Sequence, residues 1–316
     1  MAAAATPPSR LVPRRRPVAD TTFRLLALAA GLVVLVVLAA IAVSTTSQGL
    51  DAFRQEGLGF LYKSRWVPSD GVFGAWAYIY GTLVVSSIAL VLAVPTSVGI
   101  ALFLTEVAPL RIRKPVASVI DLLAAVPSVV FGFWGVDLLA RRAPSFYEGL
   151  SGTVGRIPVL GALFGDGVSG KSFMTAGVIL ALMIVPIVTS ISREVFETTP
   201  RGQKEAALAL GATRWEMIRG TVLPHSRAGV TSAVMLGLGR AMGETIAVAL
   251  VIGSSAKVSA NLLGSGDALP SVIANQFNEA GGIHRSALVA LGVVLFGLTI
   301  VVNLLAKAAA GRTAAR

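Results

Sequence analysis

Residues 172–212 read SFMTAGVILALMIVPIVTSIS, then REVFETTP, then RGQKEAALALGA. The first 21 residues carry no charge. A bilayer core is about 30 Å thick and needs about 20 mostly apolar residues to cross as a helix, so this piece reads as a membrane span. The last piece is Ala/Leu-rich and is stopped by Gly211, which predicts a short helix just outside the membrane. A span followed at once by a short polar-flanked helix sets the expectation: an all-α integral membrane protein.

The rest of the chain agrees. Of 316 residues, 54% are hydrophobic and 14% charged, and the mean hydropathy is +0.77. Soluble domains carry roughly 25% charged residues, so a water-covered globule, a disordered chain and a coiled coil are all excluded. Cysteine is absent and only two histidines are present, so no thiolate or histidine metal site and no cofactor is expected. Further spans are predicted at residues 25–46, within 71–105, and at 116–140, 228–256 and 286–306, six in all. The stretch Ala40-Ile41-Ala42 offers a small-residue cleavage pattern. The apolar run is long for a signal peptide, however, and a retained first helix is the preferred reading.

Lys and Arg outnumber Asp and Glu by 27 to 16, a net +11. These cations sit between apolar stretches rather than along one helix face, which argues against nucleic acid. With the N-terminus inside, the inner segments hold 17 cations and the outer ones 9, leaving only Arg240 within a span. The excess of positive charge inside places both termini in the cytoplasm. The expected division is a basic tail (1–23), a first helix (24–46), an outer loop (47–75), a five-helix membrane domain (76–308) with an inner loop at 193–227, and a short tail (309–316).

Residues 165–172, GDGVSGKS, match the phosphate-loop pattern in full. That motif needs a preceding strand and a following soluble helix, whereas here an uncharged span follows and the loop falls on the outer side. Nucleotide binding is therefore refused. An internal echo, AVPT at 93–96 and AVPS at 125–128, puts prolines deep in two predicted spans, as Pro186 does in a third. Such breaks are tolerated where neighbours satisfy the freed carbonyls.

The loop at 193–227 carries the most specific pattern. Glu205-Ala206-Ala207, then three residues, then Gly211, then Leu223-Pro224 resembles the coupling loop of ABC importer permeases. Ala206, Ala207 and Ala209 would give its helix a slim face. Read from the residues alone, an amphipathic helix lying on the membrane surface stays open. Thr221 stands where that pattern has an aliphatic residue. Three more segments, SISREVF at 190–196, VPSVVFG at 126–132 and RAMGET at 240–245, make the chain similar to PstC-type permease subunits of phosphate importers, over about residues 81–305. The resemblance implies a type I permease fold and a bacterial plasma membrane location. It implies four other components: a PstA-type permease, two PstB-type cytoplasmic ATPase subunits and an extracytoplasmic PstS-type phosphate-binding protein. The ATPase would dock on the helix containing Glu205, and the chain itself would be no enzyme.

Arg240 and Glu244 are the charges expected in mid-span, four residues apart and so on one face. Charges at that depth cost about 2.5–3.5 kcal/mol each on insertion scales and need a partner or a polar cavity. They either neutralise each other or face the substrate. A guanidinium fork suits an oxyanion, and a carboxylate accepts the proton that hydrogen phosphate carries and sulfate lacks. Gly239 and Gly243 add a G-x-x-x-G spacing for close helix approach. Asp121 and Asp137 are expected near the inner and outer headgroups, without a substrate role. A permease for sulfate or molybdate, an ion-coupled transporter and a membrane-embedded enzyme remain as alternatives.

Overall fold

The computed structural model describes residues 18–154, 157, 161–165 and 167–314. The basic run Arg14 to Arg16, Arg156, Asp166 of the phosphate-loop match and Arg316 lie outside them. Thirteen α-helices are present among the described residues. They are α1 (Val18–Glu56), α2 (Gly59–Tyr62), α3 (Trp76–Leu102), α4 (Leu110–Ala124), α5 (Ser128–Trp134), α6 (Arg141–Val154), α7 (Phe173–Glu197), α8 (Arg201–Ala209), α9 (Arg214–Met217), α10 (Leu223–Gly243), α11 (Ile246–Val251), α12 (Leu269–Gln276) and α13 (Gly282–Ala314). The only extended pairing among the described residues is an isolated bridge between Val67 and Val72.

The chain divides into two units, Met1–Ser47 and Gln48–Arg316. In the first, α1 is apolar all round and exposed, with Phe23, Leu35 and Val43 each more than half accessible. Among the described residues, that part of α1, up to Ser47, has no polar face and no buried residue, which suits lipid.

In the second unit α7 is the central element. Ser172 caps its start by accepting from the Thr175 N–H at 3.2 Å. Its face packs on α3, α10, α11 and α5 around Phe173, Ile179, Leu180, Ile184 and Val188. Gly177 of α7 lies against Ile88, and Gly229 of α10 against Val195. A side chain at either glycine would overlap those β-branched residues, so the small residues set how near the helices come. The Ser97 hydroxyl donates to the Val185 carbonyl at 3.2 Å, joining α3 to α7 near both internal prolines.

A second cluster forms at the predicted outer end, where Ala52, Phe60, Phe73 and Tyr78 pack with α12 and α13. Part of the expected outer loop is therefore folded. Glu56 ties it down, taking Lys63 Nζ at 2.7 Å and the Phe73 N–H at 3.1 Å.

Among the described residues, four helices are long and apolar enough to cross a membrane: Asp20–Glu56, Trp76–Val107, Phe173–Glu197 and Gly282–Ala308. Two of the expected spans are not single helices. The stretch at 116–140 turns by 90° between α4 and α5, and Pro127, with its fixed φ and no N–H, caps the new helix. The stretch at 228–256 is interrupted after Gly243. Glu244 leaves the helical region (φ −70°, ψ 126°), and α11 starts at Ile246. The broken ends are satisfied locally: Thr245 Oγ1 donates to the Gly243 carbonyl at 3.2 Å, and Glu244 Oε1 accepts the Ala247 N–H at 3.4 Å.

Candidate substrate passage and coupling loop

The break at Glu244 changes what the two intramembrane charges can do. Arg240 sits in the last turn of α10, while Glu244 lies just past its end. They do not share one continuous helix face, and they form no ion pair with each other. Both instead line a single cavity of about 600 Å³, with Ile187 of α7, Met235, Leu236, Gly239 and Gly243 of α10, and Asn303 of α13. Glu244 is 8% exposed, while Arg240 is exposed.

Two features of this cavity escaped the sequence. Asn303 contributes a buried amide oxygen that has no hydrogen-bond partner. A lone amide in an otherwise apolar helix was the available signal. Glu244 also borders a separate small void with Thr82, Ser86 and Ala268, where the Ser86 hydroxyl of α3 is buried without a partner and that of Thr82 is engaged by Tyr78 and Leu269. A cation, a carboxylate and an amide oxygen around one cavity can hold a small, partly protonated oxyanion.

Asp121 and Asp137 are occupied elsewhere. Asp121 accepts from the Ser190 hydroxyl at 2.9 Å and faces Arg193 at 3.5 Å, joining α4 to α7. Asp137 pairs with Arg141 at 3.0 Å on an exposed surface. The phosphate-loop match is equally spent on structure. Ser169, Ser172, Phe173 and Met174 donate their N–H groups to the carbonyls of Leu263, Val251, Gly264 and Leu262.

In the loop at 193–227, Pro200 precedes α8, and Gly211 ends it with φ +87°. The N–H groups of Gly211 and Ala212 bond to the carbonyls of Leu208 and Ala207 at 3.0 and 3.2 Å. That is a Schellman closure, which requires the left-handed φ that glycine adopts without strain. Thr213 then caps α9 reciprocally with Glu216: the Thr213 N–H reaches Glu216 Oε2 at 2.7 Å and the Glu216 N–H reaches Thr213 Oγ1 at 3.3 Å. Those bonds hold the Glu216 carboxyl below the usual carboxylate range.

Glu205 and Ala206 are exposed, whereas Ala207 packs inward against Phe196, Met217, Ile218 and Val222. Leu223 joins that cluster at the start of α10, with Pro224 exposed beside it. Leu210 and Trp215, 90% and 61% exposed, leave an apolar surface at the tip. The structure thus gathers Glu205, Ala206 and Ala207 on one short helix, closed by Gly211, and keeps Arg240 and Glu244 in a separate place.

A helical membrane bundle with an interrupted helix at a cavity holding two charges and an amide, and a capped loop helix, has the make-up of a transport component. The sequence profile described as "Binding-protein-dependent transport system inner membrane component" matches residues 93–314, and the chain belongs to that family. It is therefore a non-enzymatic membrane subunit of an importer. The chain is 44% identical over 290 residues to the phosphate transport system permease protein PstC of Xylella fastidiosa, covering 92% of this chain and 90% of that one. It is 42% identical over 308 residues to PstC 2 of Mycobacterium tuberculosis, covering 95% and 93%. In fold it is similar to a chain of a bacterial ABC transporter involved in the import of the acidic polysaccharide alginate. The TM-score is 0.59 at 18% identity, covering 93% of this chain and 98% of that one.

Proposed function

We propose that the chain is the permease subunit of an ATP-driven importer of inorganic phosphate in a bacterial plasma membrane, with both termini in the cytoplasm. The observation that carries this reading is the similarity to phosphate permeases named PstC at 44% identity along 92% of the chain. The expected partners are a second, PstA-type permease, two cytoplasmic PstB-type ATPase subunits and an extracytoplasmic PstS-type phosphate-binding protein.

The chemistry of the cavity supports the reading. Arg240 offers forked donors to the phosphate oxygens. Glu244 takes the hydrogen that the monoprotonated anion still carries, and repels a fully deprotonated one. Glu244 sits where helical hydrogen bonding is interrupted, so its position can change without breaking a continuous ladder. At the other end, α8 presents Glu205 and Ala206, with Leu210 beyond, to the ATPase. Closure of the ATPase pair would move α8 and shift the bundle between outward- and inward-open states.

The test is uptake of labelled phosphate into proteoliposomes holding the assembled complex and loaded binding protein. ATP-dependent accumulation that a large excess of sulfate does not inhibit is expected. Uptake without ATP, or equal competition by sulfate, would sink the proposal.

A further inference from the structure

Lys204 of α8 turns away from the exposed tip. Its Nζ lies 2.6 Å from Glu106 Oε1 and 3.5 Å from the Phe196 carbonyl at the end of α7. The Lys204 and Glu106 side chains are only 18% and 7% exposed, respectively. Glu106 belongs to the π-helical turn Phe103–Val107 that continues α3. Such a turn admits one extra residue and re-aims the side chains that follow it.

Around the pair, Ala101 of α3, Phe196 of α7 and the π-helical turn Ile218–Val222 form one apolar packet with Ala207. The other half of α3 carries Thr82 and Ser86, which border the void beside Glu244. The twenty residues from Ser86 to Glu106 span about 30 Å of helix.

We propose that the Lys204–Glu106 pair is a transmission link. It makes α3 follow α8, so that movement at the ATPase surface reaches Ser86 and Thr82, beside Glu244. Apolar packing alone would hold these elements at least as firmly, because a buried ion pair adds little stability over well-packed hydrophobic side chains. What the pair adds is a directional connection between one residue of the docking helix and one at the end of α3. Both act as positioning residues, neither touching substrate. The inference rests on α8 being the ATPase-docking helix.

The assembled complex in proteoliposomes tests it through two readouts, ATPase subunits retained and phosphate imported per ATP hydrolysed. Lys204→Met and Glu106→Gln should retain the ATPase subunits while phosphate per ATP falls about fivefold or more, the low end of ordinary site-to-site coupling. Exchanging the charges, Glu106→Lys with Lys204→Glu, should recover most of that loss. Should Lys204→Met fail to accumulate, Glu106→Gln carries the same expectation, since it removes the charge that holds Lys204 while keeping the shape of the side chain. Parental phosphate per ATP in the single variants, or an exchange variant as poor as the singles, overturns the proposal. The chain has no cysteine, so Leu210→Cys provides a single thiol for cross-linking to the ATPase. A complex that never cross-links there overturns the docking reading itself. Cross-linking with unchanged coupling in the variants overturns only the link.

Discussion

A methyl group on Gly81 of α3 would coincide with the main-chain carbonyl oxygen of Asp267, in the segment leading into α12. The two chains touch through backbone, and the Phe173 ring closes the same space at 3.2 Å. Gly81→Ala should therefore push the 267 segment off α3. Overpacking of this kind costs about 1–3 kcal/mol, and melting of the purified subunit in detergent should show a lower transition. Gly149→Ala, at an open position, is the control that should leave the transition where it is.

Asp267 itself is buried, and burial pushes its carboxyl from 3.8 up to about 6, partly offset by the Ala268 N–H that it accepts at 2.8 Å. The folded value lies above the unfolded one, so the native state binds the proton more tightly. Stability is therefore greatest below about pH 4 for this group and falls as pH rises towards 6. A rise of about two pKa units corresponds to about 3 kcal/mol. Asp267→Asn should flatten that slope and melt higher than the parent at pH 7.5. A parent and variant with parallel pH profiles would mean the carboxyl is not held in this way.

How much of this was legible before the structure depends on how local each cause is. The span at 172–192 emerged as α7 because its apolar length is written in consecutive residues, and Gly211 ended α8 because a Schellman closure involves six neighbouring positions. The break at Glu244 was not foreseen, and Pro127 was read as a tolerated break within one span and not as a 90° turn. Hydropathy registers apolar length and cannot see a change of direction. The Gly-Glu-Thr run at 243–245 was a usable signal, since Gly leaves the helix and Glu and Thr satisfy the loose ends. Missing it placed Arg240 and Glu244 on one face of a helix that stops between them. The Lys204–Glu106 pair spans 98 residues of sequence, and the Asn303 amide reaches the cavity from the last helix. Only tertiary packing brings those groups together.

Orientation yields a direct measurement. Single cysteines placed at Lys63 and at Arg214 should react with a membrane-impermeant thiol reagent in opposite ways. Position 63 should label in intact cells, and position 214 only after permeabilisation. Labelling of position 214 in intact cells would reverse the topology drawn from the cation count.

Gly211→Val tests the cap of α8. A side chain there meets open space, so the only penalty is the left-handed φ of +87°, about 1–2 kcal/mol for a non-glycine residue. The subunit should insert and fold, with melting lowered by no more than that strain. Stimulation of the ATPase by loaded binding protein should drop, because the tip carrying Leu210 no longer keeps its shape. Full stimulation would show that this turn does not determine docking.

The cavity charges invite the sharpest test, because their geometry separates a structural role from a selective one. Had Arg240 and Glu244 formed a buried ion pair, removing one partner would destabilise the subunit by about 3–5 kcal/mol. They do not pair, and Glu244 accepts only the Ala247 N–H. Glu244→Gln keeps the shape and that bond, so the subunit should melt within about 1 kcal/mol of the parent, the net worth of a typical hydrogen bond. Its amide adds a donor towards the oxyanion, so sulfate should now compete with phosphate for uptake. Arg240→Lys keeps the charge and loses the forked donors. It should lower phosphate uptake in an assembled complex without admitting sulfate, since Glu244 is still present. The two variants thus fail in different ways, one in selectivity and the other in rate. Parental uptake and selectivity in both would remove this pair from the passage, whereas a large fall in melting for Glu244→Gln would return it to a structural role.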